Sequence, residues 1–307
     1  MQYSLILLKQ VIIIFAIICV GIGCYKTKFI TKEGGKYFSS LLLKIVSPAF
    51  IFSSYQTEFS KELLRGLLAA FLLSILSHIL LIIISGLLIK KDEKYEYSIE
   101  RFSLVYTNCG FMGIPLAQGV FGAEGVLYAT AYVTVFNLLA WSHGIAIIKN
   151  EFSKKELLNV IKSPVIISIV AGVIFYILNI RLPEIIEKPI EYIGSMNTPL
   201  AMLVSGITIA QSNFLSLIKN KRVAFVTLLR LIVIPLIIIP LMSFIPVNRT
   251  AYMTVMLAVC SPAATMGILF SIEYDKNAVY ASEIFAATTV ISAVTMPLML
   301  SYITLFN

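Results

Sequence analysis

The sequence predicts an all-α polytopic membrane protein. Ten transmembrane helices form two inverted five-helix repeats, with helices 4 and 9 broken near their middles. Three observations carry this expectation. The chain of 307 residues is 59% hydrophobic and only 13% charged, whereas a soluble domain carries about 25% charged residues. Ten segments supply the roughly 20 mostly apolar residues that a helix needs to cross the hydrocarbon core. Landmarks in the first half recur in the second at an offset of 151 or 152 residues.

Taken in order, the apolar segments cover residues 4–24, 37–56, 63–89, 99–121, 125–148, 162–180, 189–212, 222–245, 250–272 and 277–305. The first is preceded by MQYS, without Lys or Arg, and followed by Lys26, Lys28, Lys32 and Lys36. That polarity is wrong for a cleaved signal and predicts a retained helix with its N-terminus outside. The loops after odd-numbered helices hold sixteen Lys and Arg, and those after even-numbered helices hold five. By the positive-inside rule both termini face outward in a multi-pass cell-membrane protein, with the loop between helices 5 and 6 in the cytoplasm. The same distribution accounts for the net charge of +8 without a basic domain, so no nucleic-acid partner is expected. The partner implied by composition is the lipid bilayer.

The repeat divides the chain into residues 1–149 and 150–307. SPAFIFSSYQTEF around Pro48 matches TPLAMLVSGITIAQSNF around Pro199, and Tyr128 in GVLYAT matches Tyr280 in NAVYAS. The same offset lays NCGFMGIP of helix 4 on CSPAATMG of helix 9. Five helices per half place the halves in opposite orientations, a common plan for secondary transporters.

The breaks are where chemistry is expected. Pro115 has no amide hydrogen, so the Phe111 carbonyl loses its helical partner, and Pro262 does the same for Ala258. Gly110 and Gly113 weaken helix 4 further. In lipid a free carbonyl costs several kcal/mol unless protein, water or ligand satisfies it. Two such points meeting near the midplane would expose half-helix ends, whose positive N-termini attract anions while carbonyls suit cations. Thr107, Asn108 and Ser261 add neutral donors and acceptors. Pro48, Pro199, Pro235 and Pro240 are expected to be structural kinks.

The motifs are similar to those of the auxin efflux carrier family, which includes plant auxin exporters and bacterial permeases. Asn108, Phe111, Gly113 and Pro115 match its fourth-helix pattern. FGAEG, Asn137 with WSHG, SPAFIF, RLIVIPL and SPAATMG resemble it elsewhere. The resemblance covers nearly the whole chain but lacks the long cytoplasmic loop of many plant members. It implies that the broken helices 4 and 9 cross, as in the bile acid/sodium symporter fold. It also implies a scaffold of helices 1, 2, 6 and 7, with a transport bundle of helices 3–5 and 8–10 moving as an elevator. The implied substrate is a small organic anion such as auxin, malate or malonate, and the implied assembly is a homodimer. The candidate binding residues are Thr107, Asn108, Gly113, Pro115, Asn137, Ser261 and Pro262.

Charges inside spans are functional suspects. Lys9 lies near a helix end and is expected to snorkel. Lys44, before Pro48, would attract an anion or pair with a carboxylate. Arg230 is expected at the cytoplasmic end of helix 8 in a structural role. Glu283, in ASEIFAATT, would bind a proton or sodium ion or pair with Lys44 or Arg230. His78 and His143 would carry protons or pack as hydrogen-bonded residues. Glu124 is expected to cap helix 5, and Tyr128 and Tyr280 to support the crossover. The four cysteines lie in or beside apolar runs without a CxxC pair, which gives no disulfide framework or metal site. HExxH, phosphate-loop and nucleophile-elbow motifs are absent.

A secondary carrier is therefore expected, with no cofactor beyond a coupling proton or sodium ion. The alternatives are a membrane sensor using the same pocket without transport, which would need a signalling output, and an intramembrane enzyme, which would need a clustered nucleophile, base or metal ligands.

Overall fold

The structure, a computed structural model, describes residues 2–57, 60–92, 96–149, 162–212 and 220–306. The loop expected to join helices 5 and 6 falls largely on 150–161, outside the described residues, as do Lys94, Lys154, Lys155 and Lys219. Among the described residues the chain is helical, and its β-type pairing is a single isolated bridge.

The first helices are α1 (Gln2–Lys26), α2 (Lys32–Ser54) and α3 (Lys61–Leu88). α4a (Tyr97–Val105) is followed by a wide turn, Cys109–Gly113, that opens α4b, residues 109–122. α5 then runs over residues 123–149. The second half holds α6 (Pro164–Ile177), α7 (Glu184–Gln211), α8 (Lys221–Ser243), α9a (Arg249–Val259), α9b (Met266–Glu273) and α10 (Ala278–Ile303).

Seven runs among the described residues are long and apolar enough to cross a membrane. One of them, Cys109–Lys149, has 41 residues, or about 60 Å of helix, twice the hydrocarbon thickness. It bends at Gly122, whose φ of +64° and ψ of −148° no L-residue adopts cheaply. α4b and α5 are therefore two helices meeting at a corner. α6 and the halves of α9 are shorter than a full span.

Several helices begin before their apolar runs. Thr31 accepts a hydrogen bond from the Gly34 N–H, so α2 starts at Lys32 rather than 37. α7 starts at Glu184 rather than 189, behind Pro183 and with Glu187 also in its first turn. Polar first turns, capped by a side chain in α2 and rich in carboxylates in α7, extend these helices beyond the segment that hydropathy marks.

Wide turns with i→i+5 geometry occur at Leu42–Val46, Cys109–Gly113, Ala140–Gly144 and Leu229–Val233. Three of the four are followed by one residue and then a proline: Pro48, Pro115 and Pro235. An inserted residue relieves the clash of a proline ring with the preceding turn. Pro48 and Pro235 thus modify helix geometry, as expected.

α1 and α7 pack backbone to backbone. A Cβ on Gly21 would lie 2.4 Å from the Leu203 carbonyl oxygen, and one on Gly206 would lie 2.2 Å from that of Ile18. Small residues allow such close approach in membranes. Gly206→Leu is expected to cost about 1–3 kcal/mol through overpacking, seen as a lower unfolding temperature of the purified protein. An unchanged temperature would contradict this packing. α2 joins α1 and α7 in the same unit: Gly194 of α7 lies against the Phe50 backbone, and Gly172 of α6 lies against the Tyr55 ring.

Candidate functional site

Two breaks in the helical chain, after α4a and after α9a, meet. After α4a, Tyr106 is extended (φ −97°, ψ 117°). After α9a, the chain turns at Cys260 and does not resume a helix until Met266. Thr107 and Ala263 form the antiparallel bridge between them. The Asn108 N–H donates to the Pro262 carbonyl at 2.7 Å, and the Ala264 N–H donates to the Tyr106 carbonyl at 3.0 Å. From α10, the Thr288 hydroxyl accepts from the Ala263 N–H at 3.1 Å.

The breaks differ from the sequence expectation in position. Helix 4 opens at residues 106–108, not at Pro115. Pro115 lies in the first turn of the helix that follows the wide turn, where a missing N–H costs little. In helix 9, Pro262 does lie in the break. The Ala258 carbonyl, however, accepts from the Ser261 N–H at 3.2 Å in a tight turn and is not left free.

The freed carbonyls are those of Leu104, Val259 and Ser261, and Arg230 takes them up. Its side chain is fully buried, and its bonds to backbone carbonyls fit the structural role expected of it. Nη1 donates to the Leu104 carbonyl at 3.0 Å. Nε and Nη2 donate to the Ser261 carbonyl at 3.2 and 2.8 Å, and Nη2 also donates to that of Val259. The C-terminal carbonyls of α4a and α9a, the negative ends of both half-helices, thus converge on one guanidinium. Among the described residues no carboxylate forms an ion pair with it.

Around this crossing several buried polar groups lack a well-formed hydrogen bond: Asn108 Nδ2, His78 Nε2, and the Thr107 and Tyr132 hydroxyls, which lie near one another. His78 is fully buried, and its Nδ1 lies 2.7 Å from the Ser74 carbonyl. With Nδ1 donating to that carbonyl, a neutral ring leaves Nε2 as an acceptor without a partner. Its ring centroid lies 4.7 Å from that of Tyr132. Native interiors rarely leave such groups unpaired, and a cluster of them marks a place for water, ion or ligand.

Gly113 and Ser261 meet across the crossing, since a Cβ on Gly113 would lie 3.3 Å from Ser261 Oγ. The Ser261 hydroxyl itself donates to the Leu257 carbonyl at 3.2 Å. His143 connects indirectly: its Nδ1 lies 2.9 Å from Tyr106 OH, which donates to the Leu139 carbonyl.

Other candidates are not brought into this hydrogen-bonded group. Asn137 Nδ2 donates to the Val133 carbonyl of its own helix at 2.8 Å. Lys44 is exposed on the wide turn of α2. Glu283 is buried near the start of α10, with Asn220 Nδ2 at 3.5 Å, and pairs with neither Lys44 nor Arg230. Tyr280 bonds Glu100, and the Tyr128 ring lies against Gly66, so neither tyrosine hydroxyl bonds the crossover.

Sequence reasoning missed Glu100, which is fully buried. It follows Ile99 at the edge of an apolar run and precedes Arg101, so it reads as a loop charge. Tyr132 was missed as well, and nothing in its sequence surroundings sets it apart from packing tyrosines.

A family model described as membrane transport protein matches residues 6–157 and 150–300. An uncharacterized transporter of Methanocaldococcus jannaschii is 26% identical over 293 residues, covering 91% of this chain and 94% of that protein. An uncharacterized transporter of Methanothermobacter thermautotrophicus is 28% identical over 197 residues, covering 62% of this chain and 63% of its own length. With a match over nearly its whole length and apolar helices suited to a bilayer, this chain belongs to the membrane transport protein family of auxin efflux carriers.

Proposed function

We propose that the protein is a secondary active transporter of a small organic anion, which binds at the crossing of α4 and α9 and is carried by elevator-type alternating access. The observation that carries this reading is the buried Arg230, a cation with no ion pair among the described residues, which bonds the Ser261 carbonyl of the crossing where Asn108 Nδ2 is buried without a partner. A buried charge is costly without compensation. Carbonyl dipoles offset part of that cost, and an anion would offset more. The N-terminal ends of α4b and α9b add positive potential at the same place. Thr107, Asn108, Gly113, Pro115, Ser261 and Pro262 form or adjoin the site, and Asn137 completes the set by family resemblance.

The topology we infer has ten crossings. It counts the bent 41-residue run twice and takes α4a, α6 and the two parts of α9 into the bilayer. The starts of α4b after its wide turn and of α9b, Ile114 and Met266, are 152 positions apart, which supports inverted halves at 1–149 and 150–307. The close packing of α1, α2, α6 and α7 supports their grouping as the scaffold. The bonds that join α4a, α5, α8, α9 and α10 support the moving bundle. The groups touch through Tyr55 and Thr130, whose hydroxyls are hydrogen bonded, and through Gln10 over Gly119. The Lys and Arg distribution supports both termini outside, and family resemblance supports a homodimer.

For the coupling ion, a proton or sodium, His78 is best placed among the candidates Lys44, His78, His143 and Glu283. The test is uptake of radiolabelled malate, malonate and indole acetate by purified protein in liposomes, with and without proton or sodium gradients. Saturable, gradient-driven uptake of at least one is expected. Binding without flux would favour a sensor. Glu283→Gln is expected to change neither proton nor sodium dependence, because its carboxylate lies by Asn220 and outside the crossing's hydrogen bonds. A shifted dependence would return it to the coupling site.

A further inference from the structure

Three N-terminal turns converge on one buried carboxylate away from the crossing. Glu100 lies in the first turn of α4a and is fully buried. Arg222, in the first turn of α8, grips it with both ends of its fork: Nε donates to Oε1 at 2.8 Å and Nη2 to Oε2 at 2.6 Å. Tyr280, in the first turn of α10, donates its hydroxyl to Oε1 at 2.8 Å. Arg222 is about a quarter exposed, with 27% of its side-chain surface accessible. The carboxylate is thus covered while its partner still reaches solvent. Bidentate, charge-assisted bonds of this kind fix orientation as well as distance. The N-terminal ends of the helices add favourable potential for the carboxylate.

The consequence follows from what else α8 holds. Arg222 and Arg230 are eight residues apart on that helix, about 12 Å. Arg222 binds the Glu100 carboxylate near the start of α4a, and Arg230 binds the Leu104 carbonyl one turn later. α4a has nine residues, too few to be stable as an isolated helix. It is held at two points by α8 and ends directly in Tyr106, Thr107 and Asn108.

We propose that Glu100 is a positioning residue for the crossing. Held by Arg222 and Tyr280, it fixes the axial position of α4a, and so the pairing of Thr107 and Asn108 with residues 262–264. It does not touch the transported solute. The proposal relies on the transport reading only for its functional consequence, because its test needs no substrate.

Cys109, 1% exposed at the crossing, and the exposed Cys19 serve as native probes. The purified protein is treated with N-ethylmaleimide, and the labelling rate of each cysteine is followed by mass spectrometry. Glu100→Gln and Arg222→Gln are each expected to raise labelling at Cys109 by about tenfold or more through local opening. Labelling at Cys19 is expected to be unchanged. The effect in the double variant should fall well short of the product of the single effects, because both substitutions break the same Glu100–Arg222 pair. Arg222→Lys should restore part of the protection, which a loss of generic packing would not explain. Tyr280→Phe removes one hydroxyl and gives a smaller rise, testing the same bond if Glu100→Gln does not fold. Protection of Cys109 equal to wild type in folded Glu100→Gln and Tyr280→Phe would overturn the proposal. So would single effects that multiply in the double variant. Failed uptake with intact coupling here would count against the transport reading alone.

Discussion

Arg230→Met is expected to abolish transport and to lower the unfolding temperature of the purified protein. The side chain bonds three backbone carbonyls from two half-helices, those of Leu104, Val259 and Ser261. Leaving a buried acceptor unpaired costs about 1–3 kcal/mol, so the three together outweigh any single hydrogen bond in the fold. Methionine also removes a buried charge, which returns several kcal/mol of desolvation. Because the carbonyls belong to chain ends that cannot re-enter a helix, we expect a net loss of about 2–5 kcal/mol. Arg230→Lys separates charge from geometry. It keeps the cation but loses the planar fork that reaches α4a and α9a together. It should be intermediate in stability and still poor in transport. Thermal unfolding and maleimide labelling of Cys109 report both effects. A methionine variant with wild-type stability and a protected Cys109 would show that the carbonyls have other partners.

Asn108→Ala gives the opposite pattern: transport falls while stability holds. Nδ2 of Asn108 is buried without a protein partner, so deleting it orphans no other side chain and removes an unsatisfied group. If it donates to a bound anion, the lost bond is worth about 1.5–3 kcal/mol, roughly ten- to a hundredfold in apparent affinity. Asn108→Asp sharpens the contrast. A carboxylate at the crossing, which the Arg230 guanidinium also reaches, would mimic the bound anion, raising stability while blocking uptake. Uptake measured beside thermal unfolding distinguishes the outcomes. Wild-type flux in a folded alanine variant would remove Asn108 from the site.

Much of the fold was legible because lipid imposes long apolar runs, and the interruptions stand out within them. NCGFMGIP and CSPAATMG pointed to the neighbourhood of the crossing, with Thr107, Asn108, Ser261 and Pro262 in it. The position of the helix 4 break was not legible. Proline marks a lost N–H, but Pro115 begins a helix, and the chain opens at Tyr106–Asn108 to pair with residues 262–264. Arg230 was legible as structural, but not its partners, which lie on other helices: a long side chain in a wide turn reaches the carbonyls of the crossing. Glu100 was overlooked because its partners, Arg222 and Tyr280, are over a hundred residues away. Lys44 was expected to attract an anion or pair with a carboxylate; it lies exposed on the wide turn of α2, outside the hydrogen bonds of the crossing.

The claim that the crossing is an anion site is tested most directly by thermal stabilisation of the purified protein across a series of carboxylates, their neutral amides and matched ammonium compounds. A ligand that binds only the folded state stabilises it by about 2.7 kcal/mol at a hundred times its dissociation constant. The account predicts stabilisation by at least one carboxylate, no effect of its amide, and loss of the shift in Asn108→Ala and Asn108→Asp. Stabilisation by cations alone, or an equal carboxylate shift in all three proteins, would contradict it.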